Sequence, residues 1–410
     1  MVGDKSIKIA FISNESFPTG MSTTNRILSL AKGLTNNSNL TVDIYCVRPT
    51  ESIKNTINHN TKGNISEAIS FQYTTRSIIW PESLFGKIWV TLLGIFNFLI
   101  IFLKTKNKDH YDVLINTTTD IIPSLLYQQI CKLKNIKYLL TIDEYPRVVR
   151  TSENYSKLFK FIYLKFFYRM YDGLIIMTNP LISYFNEKMI RYDCKVIHIP
   201  MTVEPERFNI SINSHKKHKY IAYCGNLGQN QKDGVPVLIK AFAEINKRFP
   251  EFYLYIIGDA ISSQKEQVYD LMKLTQDLNI GSNVIFTGKV HRDKMPEYLC
   301  NADILALARP NNIQAQGGFP TKLGEYLATG KPVVVTKVGE IPAYLSHNQN
   351  VFFSEPDSVS SFSEQLEFVI ENYEFAKKVG LAGKQIANTI FNYTFQGEKL
   401  GKYIEQLIKN

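Results

Sequence analysis

Short apolar runs that alternate with helix-patterned stretches, twice over, constrain this chain more than any other feature. Residues 7–12 (IKIAFI) are apolar except for Lys8, the mark of a parallel strand buried on both faces. The turn SNESFPTG follows, then a helical pattern over 22–34. Strands are predicted at 40–47, 111–116, 137–142, 174–177 and 196–199, with a helix over 121–134. Parallel strands need crossover connections of a dozen or more residues, so this spacing predicts a Rossmann-like doubly wound sheet.

A second series starts at Tyr220. IAYCGNLG reads as strand and turn, 234–249 as helix, LYIIGDA as strand and turn, and 263–278 as helix. VIFTGKV, ADILALA and PVVVT add three strands, and 362–409 is largely helical. At 410 residues the chain exceeds one core. The boundaries expected are 1–200 and 201–385, each a Rossmann-like domain. Residues 386–410 are expected as a C-terminal helix that crosses back to the first. PMTVEPERF (200–208) reads as an irregular linker, and 211–219 as an exposed lead-in. The fold class is α/β, two Rossmann-like domains facing a cleft, with ligands at the carboxyl ends of the strands.

Four strand-end turns of the second series carry the chemistry. Gly225-Asn226-Leu227-Gly228 ends the first strand, with Lys232 just beyond. Gly258-Asp259 ends the second, Gly288-Lys289-Val290 the third, and Arg309-Pro310 the fourth. The loop Phe319-Pro320 then opens a helix at Thr321, whose free N–H groups and dipole favour an anion. Lys322 and Leu323 lie in its first turn, where a cation is unfavourable unless an anion is present. Lys232, Arg309 and Lys322 would surround a diphosphate, and Glu325, one turn on, would take the hydroxyls of a ribose. Each has a plainer reading, as a surface lysine, a cap or an ordinary αβ junction.

The charge of +10 suits anionic partners. No nucleic-acid motif appears, and nucleic acid is not expected as a partner. Five cysteines lie far apart without a CxxC pair, which argues against a zinc site and a disulfide framework and fits a reducing cytoplasm. The start of the chain reads as a short strand, not a signal-peptide core.

YCGNLGQNQKDGVPVLIKAF, LYIIGDA, VIFTGKVHRDKMPEYLCNADILALARP and GGFPTKLGEYLATGKPVVVTKVGEIPAYL resemble the donor-binding domain of family 4 retaining glycosyltransferases of the GT-B fold. The resemblance covers about 215–350 strongly and the first half loosely, through strand order and the FPTG loop. It implies sugar transfer from a nucleoside diphosphate donor with retention and no obligatory metal or cofactor. The first domain would then bind the acceptor and the second the donor. Lys232 matches the family's diphosphate lysine, while Asn226 stands where an arginine is usual; Arg309 or Lys322 would supply that charge. Glu325 matches the second of a Glu-x7-Glu pair, and Gly317 replaces the first. Polysaccharide-assembly members share a Phe-Pro-Ser/Thr-Lys form of this loop.

In the first domain, Gly20 sits in the turn before a helix start, with Ser22 as its expected cap; by resemblance this loop would contact the diphosphate from the acceptor side. The strand at 137–142 runs into Asp143 and Glu144, where the family often has a histidine. Glu144 is the preferred acid for orienting the acceptor or stabilising developing positive charge, with capping as the alternative. Asp120 is better explained as a helix N-cap. Glu144, Lys232 and Glu325 are the residues expected to carry the reaction, unless front-face attack assisted by the leaving phosphate makes a protein base unnecessary.

Residues 88–103 form a charge-free apolar run of 16 residues, short of a membrane span, flanked by Lys87, Lys104, Lys106 and Lys108. A buried helix and a membrane-docking helix both remain open. Residues 157–169 interleave four cations with aromatics. The expectation is a cytoplasmic protein, peripheral on the inner face of the cell membrane, that glycosylates a lipid-linked glycan acceptor for surface polysaccharide or glycoconjugate assembly. A nucleotide-sugar epimerase of the same architecture and a non-catalytic nucleotide-binding partner at the membrane are the rivals.

Overall fold

In the computed structural model, residues 6–36, 39–54, 56–105, 110–151, 154–186, 193–211, 218–260 and 264–409 are described. The lysines at 106 and 108, most of the 211–219 lead-in, and the start of the helix expected at 263 lie outside them. The chain divides into two compact units, Met1–Thr202 with Tyr393–Asn410, and Val203–Asn392. The first unit thus takes back only the last 18 residues, 393–410, and the crossing falls after Asn392 rather than at 386.

The first unit is built on an eight-stranded sheet, in spatial order β3-β4-β2-β1-β5-β6-β7-β8. Its strands are β1 (Ile7–Ser13), β2 (Leu40–Cys46), β3 (Lys62–Ser66), β4 (Ile69–Tyr73), β5 (Val113–Asn116), β6 (Lys137–Ile142), β7 (Gly173–Ile176) and β8 (Lys195–His198). All pairs are parallel except β3 with β4. Strands β3 and β4 lie outside the predicted series. Their polar or alternating sequences, KGNIS and ISFQY, make an edge hairpin, and β3 is exposed at every second residue. The chain order reverses direction at β1, with β2 on one side and β5 on the other. Helices Leu84–Lys104 and Ile121–Lys134 cover one face, and helices Ser22–Thr35 and Tyr393–Lys409 cover the other.

Helix Ser22–Thr35 begins one residue before the expected cap acts, since Met21 is the N-cap and no side chain caps it. Asp120 occupies an N-cap position but makes no capping bond; its carboxylate instead accepts from Asn14 Nδ2 at 2.9 Å. The apolar run at 88–103 belongs to a longer helix, Leu84–Lys104, because Ser83 caps it by accepting from the Gly86 amide.

The second unit holds a six-stranded parallel sheet in the order β11-β10-β9-β12-β13-β14. Its strands are β9 (Lys219–Cys224), β10 (Phe252–Ile257), β11 (Val284–Gly288), β12 (Ile304–Leu307), β13 (Val333–Thr336) and β14 (Phe352–Ser354). The direction reverses between β9 and β12, where such sheets leave a crevice at their carboxyl ends. Strand β14 was not anticipated; three residues give too little period to read. Residues Pro205–Phe208, expected as part of a linker, form a helical turn inside this unit.

Candidate functional site

The carboxyl ends of β9, β10 and β11 are joined through their backbone. The Gly225 amide donates to Ile257 O at 2.9 Å, Leu227 N to Asp259 O at 3.1 Å, and Gly258 N to Gly288 O at 3.0 Å. Gly258 has φ +135°, and a Cβ there would stand 1.9 Å from Gly225 O. Only glycine allows both the conformation and that approach. Asn226 spends its side-chain oxygen on the Gly228 amide, at 2.8 Å, which closes the turn. Val290, past the β11 turn, is half-buried.

On the other side of the reversal point, Arg309 follows β12 and is buried, with Nη2 donating to Gln314 O at 3.2 Å and its own carbonyl accepting from Thr336 at 2.6 Å. Helix Thr321–Thr329 starts after Pro320 without a side-chain cap. It is fixed against β9 from inside: the Cys224 amide donates to the buried Tyr326 hydroxyl at 2.7 Å. Leu323 is fully buried, and its amide donates to Pro320 O at 3.0 Å. Phe319 packs into the unit against Tyr344 and Phe391 and so shapes the loop from beneath.

Lys322 reaches Asp233, which also accepts from the Tyr223 hydroxyl at 2.8 Å, and lies 4.8 Å from the centre of the Tyr223 ring. Asp233 is therefore the anion that makes a lysine tolerable in the first turn of this helix. Burial pushes its carboxyl up, but Lys322, its hydrogen bonds and Arg309 outweigh that and hold it below the usual carboxylate range. Asp233 was passed over in the sequence, where it reads only as the neighbour of Lys232. Lys232 itself is half-buried in the short helix Asn230–Asp233. The buried Cys224 thiol, pushed up to about 12 by burial and by Glu325, against the pull of Lys322, is inert at neutral pH.

Glu325 is ion-paired with Arg207 at 3.1 Å. Arg207 also donates to the Arg292 carbonyl at 3.1 Å, and Arg292 pairs with the buried Glu204 at 2.9 Å. Arg207 lies in the stretch read as linker, and nothing in its local sequence advertises it. The second unit thus brings Gly225, Gly258, Lys322 and Asp233 together beside the start of helix Thr321–Thr329, with Glu325 one turn along.

In the first unit, the ends of the adjacent strands β1, β5 and β6 carry the other candidates. The turn holding Gly20 is fixed by Asn58, which accepts from Thr19 N at 2.9 Å and donates to Thr19 O at 2.8 Å. The buried Glu51 accepts from Asn58 at 2.7 Å and from Ser16 at 3.1 Å. Asp143 pairs with the buried Arg26 at 2.8 Å, and burial still raises its carboxyl pKa. Arg26 also donates to Ile199 O and Pro200 O, both at 2.8 Å, so Asp143 holds a structural tie. Glu144 pairs with Arg150 at 3.0 Å. It is half-buried, and the arginine engages its Oε2.

Residues 205–386, most of the second unit, match the family model described as glycosyl transferases group 1. The amylovoran biosynthesis glycosyltransferase AmsK of Erwinia amylovora is 24% identical over 234 residues, 56% of each chain. The chain spans about half the length of the curated relatives it matches. Sucrose-phosphate synthase from Thermosynechococcus elongatus superposes with a TM-score of 0.76 at 16% identity, covering 98% of this chain and 99% of that one. The Anabaena protein HepE, solved in complex with UDP and glucose, gives 0.70 at 16% identity, covering 97% and 99%. These likenesses show the fold, which is GT-B: two parallel α/β domains.

Proposed function

We propose that the chain is a retaining glycosyltransferase. It moves a sugar from a nucleoside diphosphate to a lipid-linked glycan acceptor in surface polysaccharide or glycoconjugate assembly. The observation that carries the reading is the grouping of Lys322, its ion-pair partner Asp233 and the interlocked Gly225 and Gly258 turns at the start of helix Thr321–Thr329. Two findings support it: the family match over the second unit and the UDP held by HepE.

In this reading the diphosphate takes the place of the Asp233 carboxylate on Lys322, with Lys232 and Arg309 as further cations and the helix amides as donors. Glu325, held by Arg207, takes the ribose hydroxyls. The bond from the anomeric carbon to the diphosphate oxygen breaks as the acceptor oxygen bonds to the same face. The acceptor proton passes to the leaving phosphate or to Glu144. The cations stabilise charge building on the diphosphate, so no metal is required. Gly20 and the helix start behind it are assigned to a negatively charged part of the substrates.

Thermal unfolding in the presence of UDP, GDP or ADP tests the site, and turnover with a membrane lipid extract tests the chemistry. One nucleotide is expected to raise the melting temperature. Glu325→Ala and Lys232→Ala are expected to lower turnover by about 10²-fold or more. Nucleotide binding without transfer would favour the non-catalytic partner, and interconversion of the donor sugar alone would favour the epimerase. Unchanged turnover in both variants would remove the site assignment.

A further inference from the structure

The first unit carries an apolar face that its own fold leaves open. Helices Leu84–Lys104, Ile121–Lys134 and Lys157–Phe166 send Phe98, Phe102, Tyr127, Ile130 and Tyr163 into one buried cluster. The first two meet directly, with the Phe98 and Tyr127 rings 5.1 Å apart, and the second reaches the turn just past the third, where Gln128 donates to Met170 O. Their outer rows are also apolar, with Phe85 78% exposed, Trp89 61%, Ile122 73%, Leu133 76%, Leu158 68% and Phe166 57%. So many large apolar side chains left exposed on helices that share one core cluster mark an interaction site.

The charges around it select the occupant. None of the three helices contains an aspartate or glutamate, and they carry two, two and three lysines respectively. A second copy docking this face on itself would set lysine against lysine, because a two-fold contact uses the same patch twice. Anionic phospholipid headgroups satisfy the lysines, while the rings and leucines between them enter the acyl boundary.

The depth is set by the longest helix. Leu84–Lys104 has 21 residues and is long and apolar enough, by length and composition, to cross a bilayer. Its middle is fastened to the domain instead. Asn97 Nδ2 donates to Thr74 O at 2.8 Å, and Thr74 Oγ1 donates to Gly94 O at 2.8 Å. A Cβ at Gly94 would stand 2.1 Å from Val47 O, so the helix touches the chain just past the carboxyl end of β2. Phe98 and Phe102 pack edge-on against Tyr45. Spanning would strip these contacts from the core.

We propose that the three-helix face is a monotopic docking surface for an anionic phospholipid bilayer, with Leu84–Lys104 lying along the membrane and not across it. The surface needs no nucleotide-sugar chemistry, so it stands or falls separately from the transferase reading.

Vesicles of phosphatidylcholine alone and of phosphatidylcholine with phosphatidylglycerol test it by co-sedimentation of the full chain without any nucleotide. The protein is expected to pellet with the mixed vesicles, and less so as salt rises. The chain has two tryptophans, so Trp80→Phe leaves Trp89 as the sole indole reporter. Its emission is expected to shift to the blue on binding and to be quenched more by lipids labelled near the headgroup than at the chain ends. Replacing Lys157, Lys160 and Lys165 with glutamine is expected to weaken binding about 10²-fold. Phe85→Ser with Trp89→Ser is expected to abolish it while leaving the circular dichroism melt unchanged. Protein that stays in the supernatant, or that binds neutral vesicles equally well, would overturn the proposal. So would Trp89 buried in a dimer before lipid is added, or quenching greatest at the bilayer centre.

Discussion

At the scale of single residues, two charged side chains of the candidate site are held by internal partners of opposite charge. Lys322 rests on Asp233, and Glu325 on Arg207. Asp233 is buried and Lys322 nearly so, so removing one partner leaves the other charge desolvated. Asp233→Asn is expected to cost about 3 kcal/mol of unfolding free energy at neutral pH. Because the folded carboxyl is held below its ordinary range, the stabilisation is complete above the unfolded pKa of about 4 and is lost as pH falls through the lower folded value. Urea unfolding of both proteins across that range should therefore show the gap closing in acid. A gap that stays constant with pH would mean that the pair does not supply the stability. These partners were hidden in the sequence for a physical reason. Lys322 and Asp233 are 89 residues apart and Arg207 and Glu325 are 118 apart, so only the folded sheet brings them together. The residues whose placement was legible beforehand, Gly258, Lys322 and Glu325, are those whose position follows from a strand end or a helix start.

At the scale of elements, helix Thr321–Thr329 packs through Leu323, Tyr326 and Leu327 and is tied to β9 by one internal hydrogen bond. Cys224 lies at the end of β9, its amide points at the Tyr326 hydroxyl, and both residues are buried. Tyr326→Phe removes the acceptor and leaves a buried N–H unsatisfied, at a cost of about 1–3 kcal/mol. Denaturant titration measures it, and a loss below about 0.5 kcal/mol would mean that another group or water takes over the amide. The element starts were readable because they follow period and punctuation. The helix at Thr321 and the helix Ile121–Lys134 begin where the sequence predicts. Strands β3 and β14 escaped because a polar edge strand and a three-residue strand carry almost no apolar signal, while β4 alternates Ile69, Phe71 and Tyr73 over only five residues. The reach of Leu84–Lys104 was underread for a different reason: its first turn is set by the Ser83 cap and not by the charge-free run.

At the scale of the whole molecule, the first unit is completed by a segment that follows the second in sequence. Helix Tyr393–Lys409 buries Leu400, Ile404 and Leu407 in the same core cluster as Ile27, Leu30 and Leu34 of helix Ser22–Thr35. The two helices approach closely, for a Cβ at Gly33 would stand 2.2 Å from Tyr393 O and one at Gly397 would stand 2.3 Å from the Gly33 Cα. Lys399 donates to His198 O at 2.8 Å and Tyr403 to Lys195 O at 2.9 Å, which ties the helix to β8. Three apolar side chains contribute about 5–8 kcal/mol of burial. That rivals the roughly 5–15 kcal/mol that holds a whole domain folded. Deleting residues 393–410 is therefore expected to unfold the first unit and leave the second, 203–392, folded on its own core. Calorimetry would register this as the loss of one of two transitions. The surviving transition is the one expected to move upward with nucleoside diphosphate, since Lys232, Arg309, Lys322 and Glu325 all lie in the second unit. Two transitions persisting after the deletion would show that the helix is accessory to the first core, and a nucleotide effect lost with the deletion would place part of the nucleotide site in the first unit.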